Sequence, residues 1–203
     1  EAMIDLQLPM NMHVSEEVGH YYLVKSATPM LHYYQLACRF PELKLILAHW
    51  GGGLLFFEIM PEVRRDLRNV YYDTAGSPLL YPTDAIFRLA LSAVDHRKIL
   101  YGSDYPLIIM PKKQSEPDFQ PFLDEIGKLG LDPQVKADIL GNNMARMLGY
   151  LPDDRPPELV ERKATRRVIT EIPDPSAAVD GLMSVAAVAQ AWPQTRSVFD
   201  RYG

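Results

Sequence analysis

Three polar residues of this chain have the types and positions to act together on a substrate: His13, His49 and Asp104. Each follows an apolar segment that reads as a β-strand. Imidazole and carboxylate groups suit a divalent cation such as zinc or manganese, which lowers the pKa of a bound water toward about 7. If the strand ends converge, these residues indicate a metal-assisted site.

The most informative segment is Leu43–Gly53, in which an apolar run leads through His49 into three glycines. A near-continuous apolar run is typical of a strand buried on both faces of a parallel sheet. The glycines predict a tight turn in which the backbone can approach a ligand closely. We therefore expect His49 at the carboxyl end of a strand, where α/β folds place their chemistry. A histidine hydrogen-bonded in the core is the alternative.

Strand and helix patterns alternate over the first 150 residues. Apolar and β-branched runs predict strands at Leu8–His13, Leu43–Ala48, Asn69–Thr74 and from Lys98 onward. Helical spacing predicts helices at Met30–Phe40, Leu54–Leu67 with a break at Pro61, and Thr83–Val94, followed by three at 119–129, 133–140 and 142–148. This order predicts parallel strands joined by right-handed crossovers.

The architecture expected from this order is α/β. Eight such units close a barrel of about 250 residues, so the region supplies roughly half of one. An open parallel sheet is the alternative architecture. No Gly-x-Gly-x-x-Gly or phosphate-loop pattern supports a nucleotide-binding version of it.

Composition narrows the class of protein. The 203 residues are 47% hydrophobic with a formal charge of −5, so we expect a globular chain with no nucleic-acid and no membrane partner. A single cysteine, Cys38, excludes an internal disulfide, and no signal-peptide pattern opens the chain. We expect a cytoplasmic protein, with Cys38 as a small buried hydrophobe on a helix.

The amino-acid composition changes after residue 150. Prolines and a charged run predict a linker over 151–178, and 179–203 predicts a small α-helical appendage. The last residues are too few to build a core alone, so they must dock elsewhere or pair with another copy, as in a homo-oligomer. The start at Glu1, close to the first strand, suggests a sequence cut from something longer.

Several other polar residues have a structural interpretation beside the functional one. Lys25 could pair with an anionic substrate group, but a solvated lysine is favoured. Asp73 and Thr74 end the third strand and either line the pocket or stabilise a turn. His20 is expected in a surface loop, His32 on a helix face and His96 in contact with solvent, and Tyr105 could reach the site beside Asp104.

The strand-end motifs resemble those of a known family. Met12-His13, Ile46-Leu47-Ala48-His49-Trp50-Gly51-Gly52-Gly53 and Leu100-Tyr101-Gly102-Ser103-Asp104-Tyr105-Pro106 are similar to the second half of the amidohydrolase-related (amidohydrolase 2) family. This family includes metal-dependent hydrolases and the aminocarboxymuconate-semialdehyde decarboxylase type of non-oxidative decarboxylase. The resemblance covers about residues 5–149. It implies a distorted (β/α)₈ TIM barrel, of which this chain would carry strands five to eight, the C-terminal half.

The resemblance also implies roles for the three strand-end residues. His13 would be the strand-five metal ligand, and Asp104 the strand-eight ligand and a base toward metal-bound water. As in the decarboxylase-like members, His49 would lie beside the metal and activate water or polarise the substrate; in hydrolytic relatives the corresponding histidine can ligate a metal directly. The family's His-x-His pair at the end of strand one has no counterpart here, so it would lie upstream of Glu1.

From these roles we expect one divalent metal ion, zinc first and manganese second, and a small-molecule substrate. The expected reaction is hydrolysis of a C–N or C–O bond, with non-oxidative decarboxylation as the alternative. A catalytically silent half-barrel or interaction module is a further alternative for this chain alone. Residues 179–203 resemble part of a second family, the domain of unknown function 1858, which implies no activity.

Overall fold

Four parallel strands in sequential order form the centre of the protein. The computed structural model describes residues 2–19, 21–22 and 24–153. The strands are β1 (Met10–Met12), β2 (Leu45–Leu47), β3 (Val70–Asp73) and β4 (Ile99–Leu100), and each pairs in parallel with the next. Neighbouring strands in this order place all carboxyl ends at one edge of the sheet. This confirms the predicted alternation of strands and helices.

Helices connect and cover these strands. The α-helices are α1 (Ala2–Asp5), α2 (Met30–Arg39), α3 (Pro61–Asp66), α4 (Ser77–Leu80), α5 (Thr83–Ala93), α6 (Gln120–Gly127), α7 (Pro133–Ala137) and α8 (Asn143–Met147). 3-10 turns occupy Leu54–Ile59 and His96–Lys98, and a π-helical turn occupies Asp138–Asn142. The predicted break at Pro61 is confirmed, since this proline is the first residue of α3. The short helices α1 and α4 were not predicted.

The sheet is buried on both faces, as the apolar run of β2 indicates. Leu45 and Leu47 belong to the main hydrophobic core. Ile46 points to the opposite face and packs in a second cluster with Tyr71 and Leu100. The strand is therefore held from both sides, which gives its carboxyl end a defined position.

Immediately after β2 the chain makes a turn of opposite hand to an ordinary helix. All five residues of His49–Gly53 have positive φ, from 57° at His49 and 59° at Trp50 to 98° at Gly53. We call this segment the left-handed turn. The left-handed conformation costs about 1–2 kcal/mol for a residue with a Cβ, so His49 and Trp50 require compensation from their surroundings. The neighbouring glycines carry no such cost.

Two glycines of the left-handed turn are also required by close packing. A Cβ on Gly51 would lie 2.8 Å from Cδ1 of Tyr72, and a Cβ on Gly52 would lie 2.7 Å from the carbonyl oxygen of Ser15. The backbone at these two glycines thus packs closely on Tyr72 and on the segment after β1. Its approach to a ligand stays a prediction.

A buried ion pair lies beneath this turn. Lys98 Nζ is 2.5 Å from both carboxylate oxygens of Glu58 and 2.9 Å from the carbonyl oxygen of Leu67. The hydroxyl of Tyr72 donates to Glu58 Oε1 at 2.6 Å. The Lys98 and Glu58 side chains are only 5% and 1% exposed, and burial raises the pKa of Glu58 although Lys98 opposes the shift. The sequence patterns did not predict this pair.

The prediction that Cys38 is buried was wrong. Cys38 is exposed on α2, whereas Tyr33 and Ala37 face the core. Residues four positions apart share one face of a helix, and the position after Ala37 points about 100° away from that face. The helix was therefore predicted correctly, but its buried face was not.

The prediction that His96 is solvated was also wrong. Its Nε2 lies 3.1 Å from Oδ2 of the buried Asp138, and its side chain is 24% exposed. Burial tends to raise the pKa of Asp138, but hydrogen bonds led by the one from Arg146 lower it overall. The contact between His96 and Asp138 therefore connects the turn before β4 with the π-helical turn.

No helix in the described part of the chain combines the length and apolar character needed to cross a bilayer. The predicted appendage at 179–203 and nearly all of the predicted linker at 151–178 lie outside the described residues.

We expect Lys98→Met to lower the free energy of unfolding by about 3–5 kcal/mol, because it leaves the Glu58 carboxylate buried without a counter-charge. The double variant Glu58→Gln, Lys98→Met should recover much of this loss. Arg88→Met, which breaks an exposed ion pair with Asp84, should cost less than about 1 kcal/mol. Urea unfolding of the three variants measures these differences. A loss in Lys98→Met no larger than that in Arg88→Met would contradict the structural role of the buried pair.

Candidate functional site

The structure brings the three predicted site residues together at the carboxyl edge of the sheet. His13 directly follows β1, and its Nδ1 lies 3.1 Å from Nε2 of His49. The two rings meet edge to face, with centroids 4.9 Å apart. Asp104 lies four residues after the end of β4. A Cβ built on Gly76 would lie 3.0 Å from Oδ2 of Asp104 and 3.2 Å from Nδ1 of His49. The Asp104 carboxylate and the His49 ring therefore flank the same glycine.

Hydrogen-bond accounting defines the protonation of the two outer ring nitrogens. His49 Nδ1 lies 2.7 Å from the carbonyl oxygen of Ala75, and His13 Nε2 lies 3.0 Å from that of Val24. A carbonyl oxygen can only accept, so both outer nitrogens must carry hydrogen and donate. The inner nitrogens, His49 Nε2 and His13 Nδ1, then face each other with their lone pairs. These two nitrogens lie 3.1 Å apart.

The inner nitrogen of His13 and the carboxylate of Asp104 are donors of the kind that bind a divalent ion. Within residues 2–19, 21–22 and 24–153, however, no group of three or more His, Cys, Asp or Glu side chains could hold a metal ion. The donor set fits a divalent ion in chemistry and direction, but supplies only part of its coordination.

Backbone strain marks the same residues. His49 and Asp104 have φ of 57° and 58°, and both are residues with a Cβ in the left-handed region. Such conformations cluster at functional sites, where the surrounding structure holds them. Residue patterns predicted the strand ends but contained no signal for this geometry.

Asp73, near the site, has the structural role that the sequence allowed, which is to stabilise a turn. It ends β3, is buried, and accepts hydrogen bonds at Oδ1 from the backbone N–H groups of His49 and Ala75, both at 3.0 Å. Burial raises the pKa of Asp73, and the hydrogen bonds from the two amides oppose this shift. The carboxylate therefore stabilises turns rather than lining open space.

Lys25 does not behave as the solvated lysine that the sequence favoured. Its Nζ lies 3.6 Å from Oε1 of Glu16, and both side chains are only 14% exposed. The Tyr22 hydroxyl donates to Oε2 of Glu16 at 3.2 Å, and burial raises the pKa of Tyr22. Glu16 and Tyr22, which sequence reasoning missed, thus form a polar cluster with Lys25 on the segment that carries Val24, the acceptor for His13.

Two further candidate residues, His32 and Tyr105, lie within the described part of the chain. His32 lies on α2, as predicted, and is exposed. Tyr105 is 63% exposed and packs its ring against Phe119. His20 lies outside the described residues.

A sequence comparison decides the family. The family model described as Amidohydrolase matches residues 1–150. This chain belongs to the amidohydrolase family. Amidohydrolases are metal-dependent enzymes, which agrees with the imidazole and carboxylate groups at the strand ends. The match ends at residue 150, so the resemblance of 179–203 to the domain of unknown function 1858 has no support from it.

Solved structures share the fold of this amidohydrolase chain. 5-Carboxyvanillate decarboxylase from Sphingomonas paucimobilis matches with a TM-score of 0.55 at 18% identity, over 72% of this chain and 50% of that one. A protein from Staphylococcus aureus described as an amidohydrolase matches with a TM-score of 0.51 at 26% identity, over 72% of this chain and 56% of that one.

Dihydroxybenzoic acid decarboxylase from Polaromonas, solved with bound manganese and 2-nitroresorcinol, matches with a TM-score of 0.54 at 18% identity, over 77% of this chain and 53% of that one. This chain therefore spans about half the length of the solved structures it matches. A search of curated proteins found no match. The α/β sheet thus corresponds to part of an amidohydrolase TIM barrel.

We expect Gly76→Ala to destabilise the protein more than Gly130→Ala, by about 1–3 kcal/mol of overpacking. Both glycines have left-handed φ, 61° and 66°, so both variants carry the same backbone strain. Only the Cβ at position 76 meets Asp104 and His49, whereas the Cβ at position 130 has no neighbour within 4 Å. Chemical denaturation measures both losses, and equal losses would contradict the crowding inferred at Gly76.

Proposed function

We propose that β1–β4 are strands five to eight of a (β/α)₈ barrel and that the complete protein is a metal-dependent hydrolase of a small molecule. The order of the strand-end residues, His13, His49 and then Asp104, supports this assignment. The family match and the coverage of about half of each solved relative agree with it. A His-x-His pair on a preceding strand would complete the ligand set.

The observation that carries the proposal is the 3.1 Å approach of the two inner imidazole nitrogens. His13 offers its Nδ1 to a cation at this position, and Asp104 supplies a carboxylate next to Gly76 and the His49 ring. When bound, a divalent ion, zinc first and manganese second, would provide Lewis-acid polarisation and an acidified water. Asp104 would hold the ion and would also serve as a general base at its carboxylate.

His49 is assigned a different task from His13. Its Nδ1–H donates to the Ala75 carbonyl oxygen, so its Nε2, which faces His13, is the atom that would take up or deliver a proton. A histidine with one nitrogen fixed by a carbonyl and the other directed into the site has the arrangement of a general acid–base. His49 would therefore move a proton during hydrolysis of a C–N or C–O bond.

Non-oxidative decarboxylation is the second candidate reaction. The observation that favours it is the fold shared with two decarboxylases of carboxylated aromatic compounds. In this reaction His49 would deliver a proton to the substrate carbon that loses carbon dioxide. Incubation of the natural protein with carboxylated aromatics and, separately, with amides and lactones distinguishes the two reactions, because only decarboxylation releases carbon dioxide.

The partner proposed for this site is a small molecule, in a cytoplasmic protein that contacts neither nucleic acid nor membrane and that could form a homo-oligomer. The alternative is a catalytically silent chain that serves as an interaction module. Absence of bound metal from the natural protein purified without chelator would favour that alternative.

We expect His13→Ala and Asp104→Ala in the natural protein to abolish stoichiometric metal binding, since each removes a proposed ligand. His49→Ala should retain much of the metal and lose turnover. His32→Ala, which changes an exposed histidine on α2, is the matched control and should keep both properties. Elemental analysis of the purified variants measures the metal content. Unchanged metal content in Asp104→Ala would overturn the ligand assignment.

A further inference from the structure

The segment Asp73–Ser77, which begins at the last residue of β3, contacts the segments that follow both neighbouring strands; we call it the β3 corner. Thr74 Oγ1 donates to the carbonyl oxygen of Gly102 at 3.1 Å and accepts from the N–H of Gly102 at 3.0 Å. On the other side, Ser77 Oγ accepts from the indole N–H of Trp50 at 2.9 Å. The β3 corner therefore connects the segment that contains His49 with the segment that leads to Asp104.

The carboxylate of Asp73 stabilises the strained backbone of His49. A backbone N–H that leaves a strand in a left-handed turn has lost its ladder partner, and burial without an acceptor would be costly. Asp73 Oδ1 supplies that acceptor at 3.0 Å. Because Asp73 is itself buried at the end of a central strand, its oxygen occupies a fixed position.

The same carboxylate oxygen also positions the group that holds the ring of His49. Asp73 Oδ1 accepts from the N–H of Ala75 at 3.0 Å, and the carbonyl oxygen of Ala75 accepts from His49 Nδ1–H at 2.7 Å. One oxygen atom thus anchors both the backbone of His49 and the residue whose carbonyl sets its tautomer. With hydrogen on Nδ1, the lone pair of Nε2 faces His13.

We propose that Asp73 is a positioning residue for His49: through the His49 amide and through Ala75, it holds the imidazole in the Nδ1–H tautomer with Nε2 directed at His13. The importance of this orientation rests on the proposed role of His49 in proton transfer. The geometry itself involves only residues of the described chain.

Imidazole ¹⁵N NMR on protein labelled at histidine tests the proposal, with the signals of His49 identified by their loss in His49→Gln. In the unmodified protein we expect an Nδ1-protonated ring. In Asp73→Ala the Nδ1 and Nε2 shifts should move toward values of a tautomer mixture, whereas Asp73→Asn keeps an oxygen acceptor and should retain the original shifts. Asp84→Ala removes an exposed carboxylate and is the matched control.

A purely structural role would lower the thermal midpoint without changing the tautomer. Unchanged His49 shifts in folded Asp73→Ala would therefore overturn the proposal. If Asp73→Ala does not fold, hydrogen exchange in the unmodified protein decides: the amide of His49 should be protected, and exchange at the rate of an exposed loop amide would overturn the proposal. Neither readout needs metal or substrate, so failure of the proposed function would leave both results interpretable.

Discussion

The left-handed conformation of the chain after β2 is the constraint on which the site depends. With φ of 57°, His49 has its Nε2 3.1 Å from Nδ1 of His13. The cost of placing His49 and Trp50 in this region is offset by a buried carboxylate, Asp73, and by burial of the indole, which packs edge to face on Phe87 with ring centroids 5.1 Å apart. Strain is thus located at the site and balanced by contacts around it.

Buried residues away from the site also stabilise the left-handed turn. The ring of Tyr72 leaves no room for a side chain on Gly51, and its hydroxyl is held by the Glu58–Lys98 pair. Buried polar networks of this kind define a single arrangement when all their groups are satisfied. The turn that carries His49 is therefore supported by a buried, hydrogen-bonded network, and the inner nitrogens of His13 and His49 lie 3.1 Å apart at the site.

The sequence by itself determined the positions of the strands and the residues at their ends. Apolar runs and glycine turns are local signals, because burial on both faces and reversal of the chain each leave a composition that is visible within about ten residues. For the same reason, the order of strands and helices was enough to predict a parallel sheet whose carboxyl ends bring His13, His49 and Asp104 to one edge. The family resemblance followed from these motifs, and the match over residues 1–150 agrees with it.

Only the tertiary structure decided how these residues are oriented and what holds them. The partner of Lys98 is Glu58, 40 positions away, and the acceptor for the His49 amide is Asp73, 24 positions away. Neither pairing leaves a local pattern, because it exists only after the crossover helices have brought the strands side by side. The exposure of Cys38 was decided in the same way, by the rotation of α2 against the core. Spacing along the chain predicts which groups share an edge, whereas packing between distant segments sets the direction of each polar atom.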